Sequence, residues 1–233
     1  MSKKKDFVIA LGGSVVVPKD INIDFLKKFH FLIKEKIKDG FRFVVIVGGG
    51  GITRTYQNAV SKIINVGSED KDWIGIHATR LNAHLVRTLF KKEVHPIVFD
   101  NRFVVKSFEE YSLIIGAGWK PGWSTDFVAC QIACDFNIKE VIILGKPDHV
   151  YTADFEKDKN AKPFEKISWK DYLELIPTKW SPGLSSPVDP VAARLAQKEN
   201  LKIIVAEGKN LDNFQQILSG NKFKGTIIDN FRI

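Results

Sequence analysis

Residues 41–47 (FRFVVIV) form a nearly unbroken apolar run and residues 8–11 a shorter one; each runs straight into glycines, Gly12-Gly13-Ser14 and Gly48-Gly49-Gly50-Gly51. Apolar runs without alternation predict strands buried on both faces. Residues 24–38 instead carry Phe25, Phe29, Leu32 and Ile33 at helical spacing, with Lys27, Lys28, Lys34, Lys36 and Lys38 as a solvated face and Gly40 as the stop. The same reading predicts helices over 52–64, 74–90, 124–136 and 211–218. A further helix follows the capping-box pattern Ser168-Trp169-Lys170-Asp171, and another starts at Asp189-Pro190. Strands are predicted over 96–99, 113–115, 141–144, 201–205 and 226–228, and polar loops over 67–72, 116–123, after 144, and across the prolines of 177–187. Strands alternating with helices predict an α/β fold, a mainly parallel sheet covered on both faces, with ligands at the carboxyl ends of its strands.

With 233 residues and 44% hydrophobic content, the chain can bury one sizeable core. No linker, repeat or low-complexity stretch divides it, so residues 1–233 read as one domain. Met1-Ser2-Lys3-Lys4-Lys5 has the charge of a signal n-region, but the apolar run behind it ends at Gly12, too soon for a signal or a membrane span; a cytoplasmic protein is expected. Cys130 and Cys134, four apart in a predicted helix, read as core thiols. The net charge of +8 favours anionic partners. Nucleic acid is not among those expected, since no zinc-finger spacing, RNP-like strand or long basic helix is present. The histidines have no ligand spacing, His77 and His84 sharing only a helix face, and no protein metal site is predicted.

Glycine lets backbone N–H groups close on an anion, and the helix that follows adds its positive end. Either glycine turn alone could serve geometry; two on parallel strands fit a protein that holds a phosphate donor and a phosphorylated acceptor face to face, hence phosphoryl transfer. Asp126, after Trp123-Ser124-Thr125, is either the catalytic acid or a favourable charge in the first turn of a helix capped by Ser124 or Thr125. Asp189 before Pro190 reads as an N-cap. Arg54, just past the second cluster, could grip phosphate with its fork or sit on the surface; Arg80 is mid-helix. Asp72 could accept ribose hydroxyls or cap a helix. Trp119 and Trp123, flanking Lys120-Pro121-Gly122, could line a nucleotide pocket or pack the loop.

In order along nearly the whole chain stand GGS, GGG-x-x-x-R (residues 48–54), D-x-I-G (72–75), P-G-x-[ST]-T-D (121–126), D-x-V-Y-T-A-D (148–154), D-P-x-A-A (189–193) and G-T-I-I (225–228). In this the sequence resembles the amino acid kinase superfamily, and within it the archaeal-type uridylate (UMP) kinases. The resemblance implies a three-layer α/β/α sandwich that transfers the γ-phosphoryl of ATP, with Mg²⁺, to UMP, giving UDP and ADP, as a homohexamer. It implies ATP phosphates at Gly13 and Ser14 with Gly49 on the ATP side, Tyr151 and Asp154 at the ATP nucleoside, and Asp126 organising charge around the transferring group. UMP would be held by Gly48, Asp72 and the loop of Trp119, Lys120, Pro121, Gly122, Trp123, Ser124 and Thr125.

Three departures stand out. Where such relatives commonly carry lysine after the GGG triplet, this chain has Gly51; Lys146, directly behind the strand over 141–144, is the expected replacement cation, with Lys120 the other. The adenine segment T-N-x-D-G-[VI]-Y reads Gly145-Lys146-Pro147-Asp148-His149-Val150-Tyr151, and A-G-S-S-S reads Pro182-Gly183-Leu184-Ser185-Ser186. A nucleotide-binding protein without turnover and a sister kinase acting on another phosphate or a carboxylate are the alternative functions.

Overall fold

The computed structural model describes residues 5–104, 107–155, 157–179 and 186–231. The chain begins with β1 (Lys5–Leu11), the single turn α1 (Gly13–Val16), α2 (Ile23–Lys38), β2 (Phe41–Val47), α3 (Gly50–Ile63), α4 (Ser68–Thr88) and β3 (Leu113–Gly116). Next come α5 (Thr125–Asp135), β4 (Glu140–Gly145), β5 (Val150–Tyr151), β6 (Pro163–Phe164), β7 (Lys166–Ser168) and α6 (Trp169–Leu175). It continues with α7 (Pro190–Lys198), β8 (Lys202–Glu207), α8 (Leu211–Ser219) and β9 (Thr226–Asp229).

Seven strands form one sheet in the order β3-β2-β1-β4-β8-β9-β7, parallel except where β9 runs against β8. Val8 of β1 stands between Val44 of β2 and Val141 of β4, so the carboxyl ends of the central strands lie level. Alternate residues of each strand feed opposite cores. Val8, Val44, Val141 and Ile203 pack with Val128, Trp169 and Ala192 from α5, α6 and α7. Ile9, Val45, Ile142 and Ile204 pack with Phe29, Val86 and Phe214 from α2, α4 and α8. The sheet is thus buried on both faces, which is why its strands read as unbroken apolar runs.

The helix ends follow local chemistry. Asn22 accepts the Phe25 N–H at 3.1 Å to cap α2, Ser168 accepts from Asp171 to cap α6, and Gly220 ends α8 in the left-handed region. Three expectations need correction. The polar stretch 67–72 is mostly the start of α4, where Glu69 and Asp70 favour the positive helix end. Residues 96–99 form no strand: Phe99 makes an isolated bridge with Gly116, as Val94 just before the segment does with Leu113; Pro96 has no N–H to give, and His95 Nδ1 takes that of Ile97 at 3.2 Å. The polar segment after β4 holds the β5–β6 hairpin and β7. Of the 177–187 loop, residues 180–185, and with them most of the departing Pro182–Ser186 segment, lie outside the described residues.

Candidate active site

A cavity of about 720 Å³ opens at the carboxyl ends of β1, β2, β3 and β4. Gly12, Gly13 and Ser14 reach it from β1, Gly48, Gly49 and Gly50 from β2, Lys120, Trp123, Ser124, Thr125 and Asp126 from beyond β3, and Lys146, Tyr151 and Asp154 from beyond β4. Arg54 of α3 and Asp72 of α4 complete the walls. The two glycine turns touch each other: a Cβ on Gly13 would lie 2.1 Å from the Gly50 nitrogen and 2.5 Å from the Gly48 carbonyl. Geometry therefore demands glycine here, and the same close approach opens both turns into one cavity. Gly12 N–H donates to the Leu144 carbonyl at 2.8 Å, which seats the first turn against the strand that carries Gly145 and Lys146.

The acid side is built by two helix caps. Asp189 Oδ1 accepts the Val191 and Ala192 N–H groups at 2.7 and 3.1 Å, as an N-cap should, while its Oδ2 accepts the Ser124 hydroxyl. Ser124 in turn accepts the Phe127 N–H at 3.0 Å and caps α5. Asp126 sits in that first turn. Burial pushes its carboxyl up to about 8, and the Asp189 carboxylate nearby adds to the rise. Asp189 has both oxygens engaged by its own scaffold; Asp126 is the acid left for the cavity.

On the β2–β3 side, Asp72 lies inside α4, not at its entrance, and its Oδ2 accepts the Gly122 N–H at 2.9 Å. Burial raises this carboxyl, and the Gly122 N–H opposes the rise. Lys120 lies 4.0 Å above the Trp123 ring. Trp119 is placed elsewhere: it is buried, edge-on to Phe99 at 6.2 Å and tilted against Trp123, and like Pro121 and Gly122 it is no part of the cavity wall. Its contribution is packing. Arg54 is exposed on the cavity rim, with no hydrogen bond or ion pair among the described residues.

At the β4 end, Tyr151 donates its hydroxyl to Asp148 Oδ1 at 2.7 Å, and Lys224 Nζ lies 2.8 Å from Asp148 Oδ2. Burial would raise Asp148, but Lys224, Tyr151 and His149 outweigh it and hold the carboxyl down to about 2. The same bond, with burial, pushes the Tyr151 hydroxyl up to about 12. Asp154 pairs with Lys157 at 3.2 Å.

Sequence reasoning missed the residues that hold these loops. Asn82 Nδ2 donates to the Gly48 and Gly49 carbonyls, both at 2.9 Å, and Thr79 Oγ1 accepts the Gly118 N–H at 2.8 Å. The available signal was polarity on the apolar side of α4: Thr79 and Asn82 are buried there with Ala83 and Val86. His149 and Phe155 also line the cavity. Among the described residues no group of three or more His, Cys, Asp or Glu could hold a metal ion, and no helix is long and apolar enough to cross a membrane.

The amino acid kinase family model matches residues 5–207. The chain belongs to the amino acid kinase family. This kinase-family chain is 32% identical over 224 residues to a uridylate kinase of Thermococcus kodakarensis, covering 95% of this chain and 98% of that one. It is also 32% identical over 227 residues to a uridylate kinase of Thermoplasma acidophilum, covering 97% of each. The crystal structure of uridylate kinase from Archaeoglobus fulgidus superposes with a TM-score of 0.77 at 27% identity, over 96% of this amino acid kinase and 99% of that chain. A UMP kinase structure from Bacillus anthracis, 21% identical over 98% of this chain and 97% of that one, shares the fold at a TM-score of 0.79.

Proposed function

We propose that this amino acid kinase is a UMP kinase, transferring the γ-phosphoryl of ATP to UMP to give UDP and ADP. The observation that carries the reading is the junction of both glycine turns and Asp126 in a single cavity. Two anions can thereby be held by backbone N–H groups on adjacent strands, with an acid beside them. Phosphoryl transfer asks the protein for alignment and charge neutralisation more than for covalent chemistry.

In this reading Gly13, Ser14 and Gly49 cradle the ATP phosphates, and Tyr151 and Asp154 flank the donor nucleoside. Gly48, Asp72, Lys120, Trp123, Ser124 and Thr125 receive UMP, with Pro121 and Gly122 shaping the loop, and Arg54 joins the catalytic set by gripping phosphate. Lys146, beside the first glycine turn, supplies cationic charge at the transferring group. Once ionised, as a bound cation would favour, Asp126 would offer hard carboxylate oxygens of the kind Mg²⁺ takes along with nucleotide phosphates. Mg²⁺ brought in with ATP supplies charge neutralisation; Asp126 is the residue to hold it or to orient the cations around it. The exposed apolar side chains of Tyr56, Ile63, Trp73 and Leu81 on α3 and α4 support a homo-oligomer, read as a hexamer in the cytoplasm.

A coupled ADP-release assay over a panel of nucleoside monophosphates and small carboxylates tests this. UMP should be the preferred acceptor; a carboxylate or another monophosphate preferred over UMP would point to a sister kinase.

A further inference from the structure

One buried amide grips the second glycine turn from behind. Asn82 is 3% exposed and no part of the cavity wall, and its Nδ2 donates to two successive carbonyls, those of Gly48 and Gly49, both at 2.9 Å. Only the NH₂ end of an amide can serve two acceptors at once, so the contact also fixes which way this side chain faces.

The carbonyl and the N–H of one trans peptide point in opposite directions. The Gly48 carbonyl shares its peptide with the Gly49 N–H, and the Gly49 carbonyl shares its peptide with the Gly50 N–H. Holding both carbonyls towards α4 therefore turns both N–H groups the other way, to the side of the first glycine turn and the cavity. The backbone agrees. Gly49 lies in the right-handed helical region (φ −80°, ψ −31°) and Gly50 in the left-handed one (φ 68°), the succession that gathers neighbouring N–H groups into an anion-binding hollow. On either side, the Gly48 and Gly51 N–H groups are committed to the Leu11 and Val17 carbonyls at 2.9 and 2.7 Å. What the turn offers an anion is the pair that Asn82 aims.

We propose that Asn82 is a positioning residue for phosphoryl transfer: by locking two successive peptides with one side chain, it sets the direction of the Gly49 and Gly50 N–H groups and, with it, the alignment of donor and acceptor phosphates. The proposal rests on the kinase reading for its ligands. In that reading Gly48 serves UMP and Gly49 serves ATP, so a single amide fixes the register between the two, and alignment is what this reaction draws from the protein. Asn82 itself touches neither phosphate.

The experiment measures Kd for UMP and uridine, and for ATP and adenosine, by calorimetry of the full chain, of Asn82→Leu and of Asn82→Ser, beside kcat at saturating MgATP and UMP. Leucine keeps the shape of the side chain and removes both donors; serine is shorter, and its one hydroxyl hydrogen cannot serve two carbonyls. In both variants uridine and adenosine should bind as they do to the parent, which shows the fold intact. The advantage of each nucleotide over its nucleoside should fall by about tenfold, and kcat by about 10². A structural role alone would lower the melting temperature and leave the nucleotide-to-nucleoside ratios of the folded protein where they were. Variants that keep both ratios, that keep kcat, or that lose nucleoside and nucleotide affinity in equal measure would overturn the proposal. The ratios need no turnover, so a parent that makes no UDP would count against the kinase reading alone.

Discussion

A Cβ placed on Gly51 would lie 2.3 Å from the carbonyl oxygen of Pro18. The Gly51 N–H donates to the neighbouring Val17 carbonyl at 2.7 Å, so the segment after α1 is bonded down onto the start of α3. The space that a lysine would use at this position, as the resemblance to archaeal-type relatives leads one to expect, is filled here by backbone. Gly51→Ala and Gly51→Lys should therefore both destabilise, by about 1–3 kcal/mol as overpacking does, and Gly51→Lys should bring no gain in kcat. Melting temperatures beside steady-state turnover check this. A Gly51→Lys variant as stable as the parent and faster would show that the segment yields.

The charge that Gly51 cannot supply is assigned to Lys146. Among the described residues, the lysines and arginines lining the cavity are Arg54, Lys120 and Lys146. Lys120 is held over Trp123 and Arg54 projects from the α3 side, whereas Lys146 follows Gly145, against which the first glycine turn is seated. Single-turnover rates at saturating ATP and UMP should fall by about 10² for Lys146→Met and much less for Lys120→Met. Equal rates for both variants and the parent would return the charge to Arg54 and Mg²⁺.

Asp126→Asn should lower kcat by about 10² to 10³ while leaving the fold intact. Its pH signature has a definite sign. A carboxyl whose folded value lies near 8, well above its unfolded one near 3.8, binds its proton more tightly in the folded state. Stability therefore falls as pH rises between those values, because ionising the buried group costs free energy. Melting temperatures should show Asp126→Asn more stable than the parent at pH 8–9, with the gap closing towards pH 4. A parent no less stable at pH 9 than the variant would contradict a carboxyl raised by desolvation at Asp126.

Arg54→Ala should weaken UMP or ATP and leave uridine, which has no phosphate, unchanged, since an exposed guanidinium on the rim can gain only through an anion. Calorimetric titration with the three ligands reads this directly. Unchanged affinity for both phosphorylated ligands would make Arg54 a surface residue.

What the sequence disclosed is what local chemistry controls. The β1 and β2 runs, their glycine turns, and the caps at Ser124, Ser168 and Asp189 all appear where short-range pattern predicts them. The acidic start of α4 looked like a loop because residues that favour a helix N-terminus also favour turns. The buried partners of the glycine turns, Asn82 above all, were hidden because their bonds cross 33 and 34 residues of chain. Trp119 and Trp123 look alike in sequence; that Trp119 turns into the core, edge-on to Phe99, depends on a contact 20 residues away in the chain. The Gly51 substitution was visible, but its cause, the Pro18 carbonyl, comes from a separate turn.

The most direct measurement is ³¹P NMR of the chain mixed with MgATP and UMP. The account predicts that the β-phosphate resonance of UDP grows in step with that of ADP, one for one, as ATP is consumed. ATP and UMP both bound, with no UDP formed, would contradict it and leave a nucleotide-binding protein without turnover.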